Sequence, residues 1–202
     1  SVASGKVWKN ADDPRAAVIV GAAQGMQPQV KIYTSDGKLK KSFYAYEKTF
    51  LGGVRVAACD LNGDGVDEIL TAPGPGYRPY IREFNASGKQ VLWKQIWALD
   101  GKTKNGLNIA CGDLNGDSKA EIIAASDVGS GHMTIHQGKG SRIGNTWPFG
   151  RAWRGGIVLS TVDNRGTGRV DIAAATQTGA AQIRLLNEHG KRVGPTILPY
   201  AA

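Results

Sequence analysis

The sequence predicts an all-β fold, a β-propeller built of four repeats of about fifty residues, and three observations carry that expectation. A short acidic loop recurs at nearly constant spacing, apolar residues alternate with a period of two between loops, and glycine is abundant. Gly accounts for 28 of 202 residues, so Gly or Pro interrupts almost every window long enough for a helix. Asp60-Leu61-Asn62-Gly63-Asp64 returns as Asp113-Leu114-Asn115-Gly116-Asp117 after 53 residues, and Asp163-Asn164-Arg165-Gly166-Thr167 follows 50 later. Gly25, Gly76, Gly129 and Gly179 form one aligned column, Pro28 falls under Pro79, and Gly37, Gly88 and Gly190 form a second column. Stepping back from Asp60 by the same period lands on Lys9, so the first copy is expected to begin near Val7 with a degraded loop. The whole chain, 1–202, then reads as one repeat domain with units at about 5–50, 51–103, 104–153 and 154–202.

Each element of a unit has its own signal. In the second unit Val54-Arg55-Val56-Ala57-Ala58 leads into the acidic loop, and Glu68-Ile69-Leu70-Thr71 leads out of it. Pro73-Gly74-Pro75-Gly76 turns the chain into a third strand, Tyr80 to Phe84. Ser87-Gly88 turns it again into a fourth, Gln90 to Trp97. The third strand alternates in every unit, with Val30/Ile32, Ile81/Glu83, Met133/Ile135 and Ile183/Leu185 on one face. Glu83 breaks the pattern. Tyr33, Phe84, His136 and Leu186 occupy the opposite face. Sheets that are apolar on both sides need neighbours on both sides, which radial stacking supplies. A sandwich gives no reason for a fifty-residue period. Whether four blades of four strands close alone or belong to a larger ring stays open.

Composition excludes several classes. Hydrophobic residues make up 41%, too many for heavy disorder, and the glycines lack the three-residue period of collagen. No run approaches the roughly 18 apolar residues of a membrane span. No charged-then-apolar leader precedes Ser1, so a secretion signal is expected to be absent or removed. The net charge is +8, yet nine acids cluster in three segments: Asp60, Asp64, Asp67, Glu68, Asp113, Asp117, Glu121, Asp163 and Asp171. The remaining surface is strongly basic and suits acidic polymers, whether polysaccharide, nucleic acid or anionic lipid, or simply serves solubility.

The acidic loop has explicit chemistry. The pattern D-x-N-x-D-G-x-x-E gathers oxygen atoms around one point, as Ca²⁺ requires with its six to eight ligands at about 2.3–2.6 Å; Mg²⁺ demands a stricter octahedron. The first expected site uses Asp60, Asn62, Asp64, Glu68 and the carbonyl of Val66. The second uses Asp113, Asn115, Asp117, Glu121 and the carbonyl of Lys119, with Ser118 straining a turn where Gly65 sits in the first. An EF-hand is excluded, because its twelfth-position Glu is replaced by Thr71 and Ala124 and the flanks read as strands. In the fourth unit Arg165 and Thr167 replace two ligands. There Arg165 is expected to stand in for the metal, pairing with Asp163 and Asp171. Degenerate loops at 9–17 and 163–171 are expected to be metal-free, leaving two calcium sites.

These residues resemble the FG-GAP repeat family, the integrin-α-type propeller repeats of secreted and surface proteins. The resemblance spans about residues 7–202. It rests on Asp60-Leu61-Asn62-Gly63-Asp64-Gly65, on Thr71-Ala72-Pro73, and on Gly52-Gly53 and Gly155-Gly156. It implies calcium in the hairpin between the first two strands of a blade, and adhesion or ligand binding rather than catalysis. Glu68 and Glu121 stand where the family usually has Asp, and the basic charge is a further departure.

The implied function is an extracellular or cell-surface recognition module for protein or acidic glycan, acting through the loop face opposite the calcium hairpins. The alternatives are a purely structural repeat of a larger secreted protein or enzyme and, more distantly, a nucleic-acid binder. Tyr77, Arg78, Arg151 and Arg154 are the ligand candidates on that face, whereas Phe50 and Trp153 read as packing residues. No catalytic grouping is visible. His132 and His136 lack further zinc ligands and read as surface or packing residues. Cys59 and Cys111 differ by one in register, so they are expected on opposite faces as two buried thiols rather than a disulfide.

Overall fold

The computed structural model describes residues 1–9, 16–91 and 95–200. They form four antiparallel sheets, each a meander in chain order, with no helix among the described residues. The first contains β1 (Val2–Gly5), β2 (Ala17–Gly21), β3 (Gln29–Tyr33) and β4 (Leu39–Tyr44). The second contains β5 (Val54–Cys59), β6 (Glu68–Pro73), β7 (Tyr80–Phe84) and β8 (Ile96–Trp97). The third contains β9 (Leu107–Gly112), β10 (Glu121–Ser126), β11 (Met133–His136) and β12 (Arg142–Thr146). The fourth contains β13 (Ile157–Val162), β14 (Asp171–Thr176) and β15 (Ile183–Leu186).

Two expected strands are reduced. β8 is shorter than the expected Gln90–Trp97; Gln90 makes an isolated bridge to Phe84, and 92–94 lie outside the described residues. The fourth sheet is three-stranded, its last segment holding only bridges from Arg192 and Ile197. Gly194 and Pro195 lie between those bridges, and Pro cannot donate to a ladder.

The turns joining third and fourth strands are one design repeated. Thr34, Asn85, Gln137 and Asn187 each accept from a glycine three residues on: Gly37, Gly88, Gly140 and Gly190. All four glycines have φ between 74° and 89°, a region L side chains avoid. Gly140 thus completes the column for the third unit.

Three apolar cores separate the four sheets. Ile19, Val30 and Ile32 meet Val54, Val56 and Ile69 between the first two. Leu70 and Ile81 meet Leu107 and Ile122 in the next, and Ile123 and Ile135 meet Ile157 and Ile172 in the last. Adjacent residues of one strand serve opposite cores, as Ile122 and Ile123 do, because successive side chains point to opposite faces. Every residue of β10 is buried, whereas β2 alternates and leaves Val18 and Val20 each 36% exposed. Val158 of β13 is likewise 47% exposed. The sheets follow one another through β1, β5, β9 and β13, and among the described residues they do not close into a ring.

Two expectations are corrected here. The structure joins Cys59 to Cys111 in a disulfide. The register difference is what permits it: a residue facing forward from β5 meets one facing backward from β9, and these belong to opposite faces of equivalent strands. The first unit also starts earlier than expected. Asp67 N–H donates to the Lys6 carbonyl at 2.8 Å, as Ala120 does to Asp60 and Val170 to Asp113. Lys6, not Lys9, therefore occupies the first loop position. The segment from Lys6 to Ala17 is three residues longer than that from Asp60 to Glu68, which shifted the apparent register.

Candidate functional site

The acidic hairpins connect the first and second strands of the second, third and fourth sheets, and their backbones are organised by the leading aspartate. Asp60 Oδ1 accepts from Gly63 N–H at 2.6 Å and Oδ2 from Gly65 N–H at 2.7 Å. Asp113 does the same with Gly116 at 2.6 Å and Ser118 at 2.8 Å. Asp163 accepts from Gly168 N–H at 2.7 Å. Ser118 is the one non-glycine with positive φ among the described residues, at 65°. Its expected strain is thus a backbone fact.

A second relation links the third and ninth positions. Asn62 Nδ2 donates to Glu68 Oε1 at 2.8 Å, and Asn115 Nδ2 to Glu121 Oε1 at 2.9 Å. Arg165 donates to both oxygens of Asp171, at 3.0 and 3.1 Å. A short donor meets a long acid twice, and a long donor meets a short acid once. Arg165 therefore pairs with Asp171 as expected but not through its side chain with Asp163, whose oxygens serve backbone N–H groups. Glu68 and Glu121 also accept from the N–H of Leu61 and Leu114, at 3.0 and 2.9 Å, and those leucines plug the cores below.

Asp64 and Asp117 accept from Val66 and Lys119 N–H at 3.0 and 2.9 Å. Lys9 reaches across to Asp64 at 2.7 Å and holds that carboxyl below its ordinary range, so the first unit contributes a cation to the second unit's loop. Of the rest of the expected degenerate loop at 9–17, residues 10–15 lie outside the described residues and Ala17 opens β2.

Burial raises the Glu68 carboxyl above its ordinary range, with Asp64 and Asp60 adding like charge. Glu121 is raised by burial, then by Asp117, Asp113 and Glu188. Hard oxygen donors thus cluster at both loops, while among the described residues no three Asp, Glu, His or Cys side chains group as a metal-holding set. Glu83, which interrupts the apolar alternation of β7, is 6% exposed and faces a cavity shared with Lys119, Gln137 and Lys139. Burial first, and Glu68 second, push its carboxyl up to about 7.

The four ligand candidates separate. Tyr77 packs edge-on against Tyr46 and Tyr80 and bonds Glu47, and with the exposed Arg78 it lines a cavity beside Trp97. Arg151 lies 3.7 Å over the Trp147 ring, which also stacks on His132 at 4.5 Å. Arg154 donates to the carbonyls of Arg151 and Trp153 at 2.6 and 3.0 Å, closing its own loop. Phe50 and Trp153 are packing residues: Phe50 is buried, and Trp153 lies against Gly131 and Gly155. His136 is buried, within 3.2 Å of the Gly140 carbonyl and 3.0 Å of Thr134 Oγ1. At Gly156 (φ 77°) a Cβ would overlap the Asp127 carbonyl, so the Gly155-Gly156 pair answers to backbone approach between sheets.

Sequence reasoning missed a polar network across three sheets. Asp127, 3% exposed, accepts from Arg55 at 2.8 Å, Asn108 at 3.2 Å and Gln177 at 3.1 Å. Arg55 and Asn108 occupy one repeat column, and that shared polar position in otherwise apolar strands was the available signal.

Residues 60–124 match the FG-GAP-like repeat family model, a segment that begins at the first leading aspartate and contains both D-x-N-x-D hairpins. Among solved structures, the biofilm matrix protein Bap1 of V. cholerae aligns over 96% of this chain and 38% of its own, with 18% identity and a TM-score of 0.43. The chain thus spans little more than a third of that protein's length. No curated protein sequence matches the chain.

Proposed function

We propose that this chain, which carries an FG-GAP-like repeat over residues 60–124, is a calcium-stabilised, non-catalytic recognition module of the extracellular space or cell surface. The sheets are read as an arc of a β-propeller. The observation that carries the reading is the pair of equivalent hairpins in which half-buried Glu68 and buried Glu121 sit among like charges. A divalent cation relieves that repulsion. Asp60, Asn62, Asp64, Glu68 and the Val66 carbonyl would hold one ion; Asp113, Asn115, Asp117, Glu121 and the Lys119 carbonyl would hold the other. Binding requires each third-position amide and ninth-position carboxylate to exchange their mutual hydrogen bond for the ion. The fourth hairpin, with Arg165 on Asp171, is read as metal-free. The Cys59–Cys111 disulfide favours an oxidising compartment. The partner is a protein or an acidic polysaccharide, met on the loop face opposite the hairpins.

A second reading, a structural repeat within a larger secreted protein, is favoured by the chain of hairpin-to-hairpin bonds from Lys6 through Asp60 to Asp113. Calorimetric Ca²⁺ titration tests the first reading. Two sites are expected, falling to one in Asp60→Asn and one in Asp113→Asn. Saturating calcium at about a hundredfold excess over Kd should add about 2.7 kcal/mol to stability. A melting temperature indifferent to both calcium and chelator overturns the calcium reading.

A further inference from the structure

Two cavities adjoin on either side of Trp97, at the edge strand β8, and share Gln95 and Trp97 as their common wall. The first, of about 390 Å³, adds Tyr77, Arg78, Tyr80 and Lys104. The second, of about 440 Å³, adds Lys139 and Arg142. Both lie in the size range of small-ligand sites, about 300–1,000 Å³. Trp97 is 42% exposed and stands edge-on to Tyr80 at 5.5 Å. Gly101, lacking a side chain, lets the following loop lie against the Trp97 ring.

Charge in this trough is one-sided. Among the described residues no carboxylate lines either cavity, and Arg78, Lys104 and Lys139 form no ion pair. Arg142 donates to the carbonyls of Trp97 and Ala98, both at 3.3 Å. Lys104 is held beside the Tyr77 turn by its carbonyl, which accepts from Gly76 N–H at 2.8 Å. Aromatic walls between unpaired cations suit a ligand with apolar ring faces and regularly spaced acid groups. Nucleic acid shares that description, but the Cys59–Cys111 disulfide favours a compartment outside the cytosol, where acidic polysaccharides are the polyanions at hand.

We propose that this trough binds an anionic polysaccharide chain that crosses Trp97, with one acidic sugar seated in each cavity. This deepens the recognition reading and rests on it. The test is calorimetry in chelator-containing buffer with a galacturonate hexamer, its methyl-esterified form, a heparin hexasaccharide and a thymidine hexanucleotide. At least one acidic hexasaccharide is expected to bind, with affinity falling as salt rises. The methyl ester should bind about tenfold more weakly or worse than the free acid if galacturonate is the ligand. Trp97→Ala and the double variant Arg78→Ala/Lys139→Ala should each weaken binding about tenfold, whereas Lys40→Ala, on the exposed side of β4, should leave it unchanged; Arg151→Ala reports on the Trp147 stack as the rival site. The double variant changes exposed residues, so it tests the trough even if Trp97→Ala unfolds. Preference for galacturonate or heparin identifies the acid group; either supports the trough. Four results overturn it: no binding of either acidic saccharide, equal binding of galacturonate and its ester without heparin binding, tighter binding of the hexanucleotide, or loss in Arg151→Ala with none in the trough variants. The calcium titration of Trp97→Ala reports separately on the parent reading, because Trp97, unlike Lys139, lines no cavity with the hairpin residues.

Discussion

Ser118 is a single residue at which the third unit departs from the second, and its φ of 65° shows the consequence. A left-handed conformation costs a non-glycine residue about 1–2 kcal/mol, part of which glycine returns through its larger unfolded-state entropy. Ser118→Gly is expected to raise stability by about 0.5 kcal/mol in denaturant melts, and a loss would contradict the strain assignment. Glu83 makes a second prediction. Its carboxyl is pushed up to about 7 from 4.5, so the folded state holds the proton more tightly than the unfolded chain. Its contribution is therefore favourable below pH 4.5 and is lost as pH rises to about 7. Glu83→Gln should flatten that decline and be more stable than the parent at pH 8, by about 1–3 kcal/mol. Identical pH profiles for the two proteins would count against it. Arg165 shields Asp171, which is 3% exposed. Arg165→Ala leaves a buried acid unpaired and should cost about 1–2 kcal/mol, discounted for the half-exposed arginine.

At the scale of elements, the hairpins are linked by more than their acids. Each loop's eighth residue donates to the first residue of the loop before it, from Asp67 to Lys6, Ala120 to Asp60 and Val170 to Asp113. Ordering one hairpin thus biases its neighbour. Calcium added to an Asp60→Asn variant is expected still to slow amide exchange at Val170, whose partner is Asp113, while Ala120 gains less than in the parent protein. Equal protection of both amides would show that the hairpins order independently. This linkage was not readable beforehand, because backbone bonds between sheets leave no residue signature. The strands were readable: β7 matches its expected run, and β5 and β6 begin where expected and run on to Cys59 and Pro73, because alternation and turn residues agree there. β8 was not, since this edge strand pairs with one neighbour alone and keeps only Ile96 and Trp97 in its ladder.

Across the whole molecule, three cores and one covalent link join four sheets. The Cys59–Cys111 bond spans 52 residues and ties the second sheet to the third. Chain entropy alone assigns such a loop about 4 kcal/mol, so the double Cys59→Ser/Cys111→Ser variant should lose stability on that scale. Indifference to reduction in guanidinium melts would remove the bond from the account. The inner sheets are covered on both faces and the outer ones on one. Ile122→Ala should therefore cost about 2–5 kcal/mol, while Val18→Ser changes stability by about 0.5 kcal/mol or less.

The repeat, its turn glycines, the alternation of its strands and the acid pattern of its hairpins are local properties, and the amino-acid order alone specified them. Partners across sheets were a different matter. Side chains from consecutive units meet front to back, so Cys59 found Cys111 and Trp97 came to share a cavity with Lys139 and Arg142 only when the sheets stacked. Periodicity assigns a residue to a face, but packing decides which face lies opposite.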